Sequence, residues 1–151
     1  MGVRDGIRHP TERFPLEALS FRGDSQYTHT AFAADQAMDF IERHRQGPFL
    51  CVAGFYSPHS PWVAPQEFID LYDAQNLTIP SYPPEVEARR NEGDFSEEER
   101  RRAHVGYYAM VSEVDHHVGR ILAHLDALGL RGDTLVVFTS DHGEWLGEHL
   151  R

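Results

Sequence analysis

The feature that most constrains the fold is an apolar, β-branched run that ends abruptly in polar residues. Leu135-Val136-Val137-Phe138-Thr139 is followed at once by Ser140-Asp141-His142-Gly143. An unbroken apolar run of this length predicts a strand buried on both faces, which favours a parallel sheet. Ligands of open α/β sheets bind just outside the carboxyl ends of such strands. The sequence therefore predicts a functional site directly after residue 139.

Asp141 and His142 are the side chains at that position with useful chemistry. A carboxylate and an imidazole side by side can share one divalent cation. The alternative is an ordinary strand-to-helix turn, in which Asp141 caps the helix and His142 lies on the surface. The residue types alone leave both interpretations open.

A second apolar run, residues 49–56, predicts a second buried strand. It leads into Ser57-Pro58-His59-Ser60-Pro61-Trp62, and Pro65 follows shortly after. Three prolines predict a stiff loop without regular backbone bonding, which is a suitable mount for His59. The alternative is a histidine packed on Trp62. Cys51, inside the run, is interpreted as a small core residue and not as a nucleophile.

Helical patterns surround the two runs. One helix is predicted to begin near Thr28 or Thr30 and to end at Gly47-Pro48, and a short one covers 66–72. A long amphipathic helix over 97–128 starts with the capping box Ser96-Glu97-Glu98-Glu99 and ends at Gly129, with Leu130 folding back on Leu125. The polar connection 73–95 is long enough to form a rim or lid.

Three polar residues within the long helix invite a metal interpretation. Adjacent helical positions point in different directions, so His116 and His117 are predicted to be surface residues. Asp115 lies near the predicted apolar face, whose members recur every three or four residues, and is a candidate for a buried polar contact. That face consists of Ala103, Tyr107, Val111, Val114, Val118, Ile121, Leu125 and Leu128.

The order of the elements predicts that the two candidate regions meet. Two buried strands joined by a helical crossover are most simply parallel, with a right-handed connection. Parallel strands end at the same edge of a sheet, so His59 is expected beside Asp141 and His142. The fold class predicted is α/β, with buried parallel strands flanked by helices.

Composition limits the partners. The 151 residues suit about one domain, and the formal charge of −10 argues against a nucleic-acid partner. A small anionic substrate stays compatible, because a bound metal can reverse the local field. No apolar run approaches the ~20 residues of a membrane span, and residues 1–5 do not resemble a signal peptide. The single cysteine leaves the compartment open.

Three stretches, in this order and spacing, resemble the sulfatase family of the alkaline phosphatase superfamily. The first runs from Ala37-Met38-Asp39-Phe40-Ile41 through Pro48-Phe49-Leu50 to Phe55-Tyr56-Ser57-Pro58-His59-Ser60-Pro61-Trp62. The second is Tyr107-Tyr108-Ala109-Met110-Val111-Ser112-Glu113-Val114-Asp115, continuing to Val118-Gly119-Arg120-Ile121-Leu122. The third is Val136-Val137-Phe138-Thr139-Ser140-Asp141-His142-Gly143-Glu144, ending in Gly147-Glu148-His149.

The resemblance implies an α/β sandwich around a large mixed sheet and the hydrolysis of sulfate esters. Asp141 and His142 match half of the family's metal site, where many members carry Asp-Asn, and one divalent cation is implied, with calcium first and manganese or magnesium as alternatives. His59 matches the histidine that contacts the transferred group and the leaving oxygen. The other half of the metal site, the formylglycine motif Cys/Ser-x-Pro-x-Arg and a partner lysine are absent from the sequence.

Residues 1–151 are therefore expected to be an internal part of a sulfatase catalytic domain, without its N-terminal nucleophile region and C-terminal part. The chain alone is expected to be inactive. Two alternatives remain: a phosphoric or phosphonic ester hydrolase of the same superfamily, and a non-catalytic binding module on the same scaffold.

Overall fold

One long helix organises the part of the chain that the structure, a computed structural model, describes: residues 17–89 and 95–147. The helix α1 (His29–His44), the short helix α2 (Gln66–Ile69) and the strand β2 (Val63–Ala64) all pack against this helix, α4 (Glu97–Ala127). Single 3₁₀ turns lie at Ser25–Tyr27 and Arg131–Asp133. The regular elements are β1 (Leu19–Ser20), α1 (His29–His44), β2 (Val63–Ala64), α2 (Gln66–Ile69), α3 (Pro84–Glu87) and α4 (Glu97–Ala127).

Both ends of α4 follow the sequence prediction. The capping box is complete: the Glu99 N–H donates to Ser96 Oγ at 3.2 Å, and Glu99 Oε2 accepts from the Ser96 N–H at 2.7 Å. At the other end Gly129 has a φ of 70°, which glycine adopts without strain. The Leu130 N–H then donates to the Leu125 carbonyl at 2.9 Å, as a helix end of this type requires.

The helix α1 lies along α4 through small side chains. Thr28 caps it and accepts the Ala31 N–H at 3.1 Å, so the predicted start is confirmed, and it ends at His44. An ion pair of 2.7 Å between Arg120 of α4 and Asp35 of α1 flanks the contact. The side chains of α1 that are buried and apolar are Ala31, Ala34, Ala37 and Ile41. Three of these four are alanines, whose small side chains let the two helices approach closely.

The buried side of α4 matches the predicted one only in part, since Ala103 and Leu125 are buried as predicted. The predicted apolar positions Tyr107, Val114 and Val118 are only half-buried, and Val111 is 41% exposed. Four further buried positions each lie one residue before a predicted one, and they include small and polar side chains: Gly106, Met110, Glu113 and His117. The large apolar residues therefore did not identify the buried face correctly. Elements that pack closely on α4 leave room mainly for small side chains on that face.

The two apolar runs do not form the predicted strands. Residues 49–56 and 134–139 have no regular hydrogen-bonded structure, and Leu50, Val52 and Leu135 are 84%, 85% and 90% exposed. An apolar run indicates that a segment can be buried. It becomes a strand only when its backbone forms hydrogen bonds with a neighbouring strand. No described segment pairs with either run, so the strand prediction is wrong for this part of the chain.

The sheet that does form is short and parallel. Leu19 pairs with Val63 and Ser20 with Ala64, and hydrogen bonds of 2.9 Å extend the contact to Trp62 and Phe21. The combination of helices with a parallel sheet confirms the α/β class, although the strands lie in segments where the sequence predicted none. Trp62 and Ala64 then place this sheet on α4, in a core cluster with Ala103, Ala109 and Met110.

Two arginines of α4 hold the long polar connection in place. The Arg100 guanidinium donates to the Pro80 carbonyl at 2.9 Å and lies 4.3 Å from the centre of the Tyr82 ring. Arg101 donates to the carbonyls of Ala74 and Leu77 at 3.0 and 3.2 Å. Residues 74–82 are therefore fastened to the helix and do not form a free lid.

His117 is buried, which corrects its prediction as a surface residue, whereas Asp115 is exposed. An Arg120 N–H donates to His117 Nδ1 at 3.0 Å, and that contact requires a neutral imidazole. Burial lowers the pKa of His117 to about 4, with smaller contributions from Arg120 and His116, while Asp35 opposes them. The side chain is thus a neutral packing group at the contact of α1 and α4.

Gly106 provides the first test of this packing. A Cβ at position 106 would lie 2.7 Å from Trp62 Cβ and 3.0 Å from Ala18 Cα. We expect Gly106→Ala to lower the free energy of unfolding by about 1–2 kcal/mol, because the clash outweighs the ~1 kcal/mol gained in helix propensity. Gly119→Ala, at a position of α4 with nothing within 4 Å, is the matched control and should raise it by about 0.5–1 kcal/mol. Urea titration measures both, and equal effects would refute the close approach.

The buried His117 makes stability depend on pH. Its pKa in the folded chain is lowered from 6.5 to about 4, so below pH 6.5 the unfolded chain binds a proton that the folded chain does not. Stability present above pH 6.5 is therefore lost as the pH falls towards 4, by up to about 3 kcal/mol. His117→Gln keeps an acceptor for Arg120 and removes the titration. Unfolding free energies from pH 7.5 to 4 should fall less steeply in the variant; parallel curves would contradict this account.

Candidate active site

The loop that carries His59 is held at its downstream end by backbone bonds and packing. The Leu19 N–H donates to the Trp62 carbonyl at 2.9 Å, which joins the loop to β1. The Trp62 side chain is buried, with its Cβ directly against Gly106 of α4. Trp62 therefore packs on the helix and not on His59, and the alternative interpretation of His59 as a packing partner of Trp62 is not what the structure shows.

The imidazole of His59 has a defined orientation. Its Nδ1 lies 2.7 Å from the Ser60 carbonyl oxygen, which can only accept, so Nδ1 carries a hydrogen. The Tyr56 hydroxyl donates to the same carbonyl at 2.8 Å and lies 2.9 Å from Nδ1, with the two rings 5.0 Å apart. The ring is exposed, and its Nε2 is the nitrogen left to exchange a proton with a ligand.

A buried carboxyl group, which the sequence analysis missed, lies behind this loop. Glu113 of α4 is 1% exposed, and its carboxyl group is hydrogen-bonded by the side chains of Thr28 and Thr30. Thr30 Oγ1 in turn lies 3.1 Å from Ser57 Oγ. Burial raises the pKa of Glu113, the two threonines oppose that shift, and Glu67 adds to it. Its other oxygen, Oε1, has no hydrogen-bond partner among the described residues.

One signal in the sequence could have identified Glu113. It stands seven residues after Gly106 and three after Met110, on the stripe of α4 that is actually buried. Small residues that recur at helical spacing indicate a closely packed helix face, and so do large apolar residues. A carboxylate on such a stripe predicts a buried acid.

Asp141 and His142 lie together in an exposed turn. His142 Nε2 is 3.8 Å from Asp141 Oδ2, and the His142 N–H donates to Asp141 Oδ1 at 3.0 Å. His142 Nδ1 lies 2.8 Å from the Gly143 carbonyl and must donate to it. That bond raises the pKa of His142, and the charges of Asp141 and Glu144 raise it further. It also directs the lone pair of the neutral ring to Nε2, the nitrogen near Asp141.

The segment after this turn is attached to α4. Leu146 packs against the core cluster, and the buried Gly147 would place a Cβ 2.9 Å from Phe95 and 3.4 Å from Arg100. Gly147 has a φ of 90°, so both space and backbone conformation require glycine. The turn with Asp141 and His142 thus extends from an anchored end. Glu148 and His149 lie outside the described residues.

The structure places the three predicted site residues in two separate groups of contacts. The hydrogen bonds of His59 described above stay within 56–60, and those of Asp141 and His142 stay within 140–143. The described residues contain no group of three or more His, Cys, Asp or Glu side chains that could hold a metal ion. The predicted meeting at one sheet edge has no paired strands to support it here, and it stays a prediction.

Cys51 has no feature of a nucleophile. Its side chain is half-buried, and burial raises the pKa of the thiol, which disfavours the reactive thiolate. The interpretation of Cys51 as a structural residue agrees with that environment.

None of the helices in the described ranges combines the length and the apolar character that crossing a membrane requires.

Comparison with known proteins identifies the family. A family model described as Sulfatase matches residues 2–151. Human iduronate 2-sulfatase is 32% identical, over 96% of this chain and 30% of its own length, and the multifunctional alkaline phosphatase superfamily protein PehA of Trinickia caryophylli is 30% identical, over 82% and 29%. Choline-sulfatase of Rhizobium meliloti is 33% identical, over 78% of this chain and 26% of its own length.

The solved structures agree. The phosphonate monoester hydrolase SpPMH of Silicibacter pomeroyi superimposes with a TM-score of 0.75 and 27% identity, covering 85% of this chain and 30% of that one. The chain thus spans about three tenths of the length of these relatives. The family match over nearly every residue and the shared fold confirm the resemblance inferred from the three sequence stretches: the chain belongs to the sulfatase family, a family of hydrolases.

Proposed function

We propose that the natural polypeptide containing these residues is a metal-dependent hydrolase of sulfuric esters, with His59 as the acid at the leaving oxygen. The observation that carries the proposal is the hydrogen-bonding of His59. Because Nδ1–H is held by Ser60, proton exchange is directed to Nε2. A single positioned nitrogen on an exposed loop is what general acid catalysis requires.

Asp141 and His142 are proposed as two ligands of one divalent cation. The chemistry of the pair fits: Oδ2 and Nε2 are 3.8 Å apart, close enough for both to reach one ion at the usual ~2.0–2.6 Å. The hydrogen bond of His142 Nδ1 to Gly143 orients the ring as metal-ligating histidines are usually oriented. When bound, the cation supplies charge neutralisation for the anionic ester. Further ligands must come from residues beyond this pair.

The identity of the cation follows from ligand chemistry. Calcium, expected from the family resemblance, prefers oxygen ligands, whereas an imidazole suits manganese better. Asp141 accepts either. We infer that the proposed site binds Mn²⁺ at least as well as Ca²⁺, because one of its two proposed ligands is nitrogen.

The nucleophile is proposed to lie elsewhere in the polypeptide. The sequence contains neither Cys/Ser-x-Pro-x-Arg nor Gly-x-Ser-x-Gly, and burial raises the pKa of the Cys51 thiol. A formylglycine derived from the family motif remains the proposed nucleophile. Residues 1–151 contribute the acid and part of the metal site to that reaction.

A second candidate function is the hydrolysis of phosphonic or phosphoric esters. It is supported by the structural similarity to a phosphonate monoester hydrolase and by the sequence similarity to PehA. Rates with matched 4-nitrophenyl sulfate and 4-nitrophenyl phenylphosphonate separate the two. A kcat/KM at least tenfold higher for the phosphonate would replace the sulfatase assignment.

The role of His59 predicts a selective loss of activity. His59→Ala, in the natural polypeptide, should lower kcat/KM by about 10²–10⁴-fold for esters of poorly acidic alcohols, which need a proton as they leave. Esters of 4-nitrophenol should lose far less, because their leaving oxygen is stable as an anion. A series of aryl sulfates with leaving groups of graded pKa measures the difference. His44→Ala, an exposed histidine at the end of α1, is the control. An equal loss with every ester would refute the acid role.

The metal proposal predicts a binding defect that can be measured without turnover. Asp141→Ala should weaken Mn²⁺ binding at least tenfold, because it removes a charged ligand. Electron paramagnetic resonance of free Mn²⁺ gives the dissociation constant directly. Asp133→Ala removes the same charge from the exposed 131–133 turn and should leave binding unchanged. Unaltered Mn²⁺ affinity of the Asp141 variant would remove this residue from the site.

A further inference from the structure

A chain of buried polar groups connects the interior of the helix pair to the loop of His59. It begins at Glu113 of α4, passes to the hydroxyls of Thr28 and Thr30 at the start of α1, and reaches Ser57, 3.1 Å from Thr30. Glu113, Thr28 and Thr30 are 1%, 5% and 1% exposed. Ser57 stands two residues before His59.

The links in this chain pass through hydroxyl groups, each of which can both donate and accept. The side chains of Thr28 and Thr30 are both hydrogen-bonded to the Glu113 carboxyl group. Thr28 Oγ1 accepts the Ala31 N–H at the same time, as an N-cap does. Thr30 Oγ1 lies 3.1 Å from Ser57 Oγ, and either hydroxyl can donate in that contact. Thr30 therefore links the buried carboxyl group to Ser57.

The contact of Thr30 with Ser57 gives the loop of His59 a second point of attachment. The downstream end is joined to β1 at Trp62 and packed on Gly106. The upstream end is joined at Ser57 to the helix pair. Between the two points lie four residues, Pro58-His59-Ser60-Pro61, two of them prolines whose φ is restricted. Displacement of Ser57 is thus transmitted to the backbone of His59.

We propose that Glu113, acting through Thr30 and Ser57, is a positioning residue for His59. This inference rests on the proposed function, since it assigns Glu113 to the placement of the acid that protonates the leaving oxygen. The buried carboxyl group is hydrogen-bonded to both threonine side chains, and Thr30 in turn contacts Ser57 of the loop. A purely structural role would be to satisfy polar groups between α1 and α4, with no effect on how the leaving group is protonated.

Thr30→Val tests the proposal with little change in shape, because valine replaces the hydroxyl by a methyl group. If Thr30 positions His59, the variant should lose about tenfold or more in kcat/KM for esters of poor leaving groups and much less for 4-nitrophenyl esters. Ser57→Ala should show the same selectivity. Thr30→Ser keeps the hydroxyl and should restore the rate with poor leaving groups. Glu113→Leu should match Thr30→Val if it folds, which circular dichroism establishes.

Ser112→Ala is the matched control. Ser112, beside Glu113 on α4, makes a hydroxyl–hydroxyl bond of 2.6 Å to Tyr72. Its removal costs a comparable buried contact but does not lead to the histidine loop. The control should lower the melting temperature as Thr30→Val does, while the dependence of the rate on leaving-group pKa stays that of the parent.

The outcomes separate this inference from the proposed function. If His59→Ala itself shows no dependence on leaving group, the acid role fails. If His59→Ala shows it and Thr30→Val and Ser57→Ala lower all rates equally, the acid role holds and the positioning role of Glu113 is wrong. A double-mutant cycle sharpens the result: Thr30→Val should cost little when His59 is already alanine, because the two act through one group. Additive losses would overturn the inference.

Discussion

The contact of Trp62 with Gly106 is the constraint on which the rest of the described structure depends. A side chain at position 106 would overlap Trp62, so the residue that leads into β2 approaches α4 where the helix has no side chain. From there the helix receives the other elements in order along its length: Leu146 and Gly147 near its first turns, β2 at Gly106, and α1 from Glu113 onwards. The long helix therefore serves as the common support for segments that are far apart in the chain.

Local signals in the sequence predicted the helices well. The Thr28 cap, the Ser96 capping box and the Gly129 terminator each depend on a few neighbouring residues, and each is present as predicted. Strand pairing was not predictable, because ladder bonds are made with segments remote in the chain. The exposed runs at 49–56 and 134–139 show that an apolar pattern describes a preference for burial, while the partner decides whether a strand exists.

The sequence was enough to select candidate site residues but not to predict what surrounds them. His59, Asp141 and His142 were selected because polar chemistry follows an apolar run, and the structure shows a local geometry for each that suits its proposed role. That reasoning did not identify the buried polar residues nearby. Charged or titratable residues of a helix are usually exposed, so Glu113 and His117 were not predicted to be buried. In the structure both are buried, on the face of α4 that packs closely against small side chains.

The turn of Asp141 and His142 is held by bonds within 140–143, while the loop of His59 is tied into two helices and a sheet. The turn and the loop therefore differ in how well they tolerate substitutions. The His142 side chain is exposed, so a substitution at 142 changes the chemistry of this turn with little effect on stability. The surroundings of His59 offer no such freedom, since a change there must be absorbed by the packing of α1, α4 and β2 together. Proteins built on this scaffold can therefore vary position 142 more easily than the surroundings of position 59.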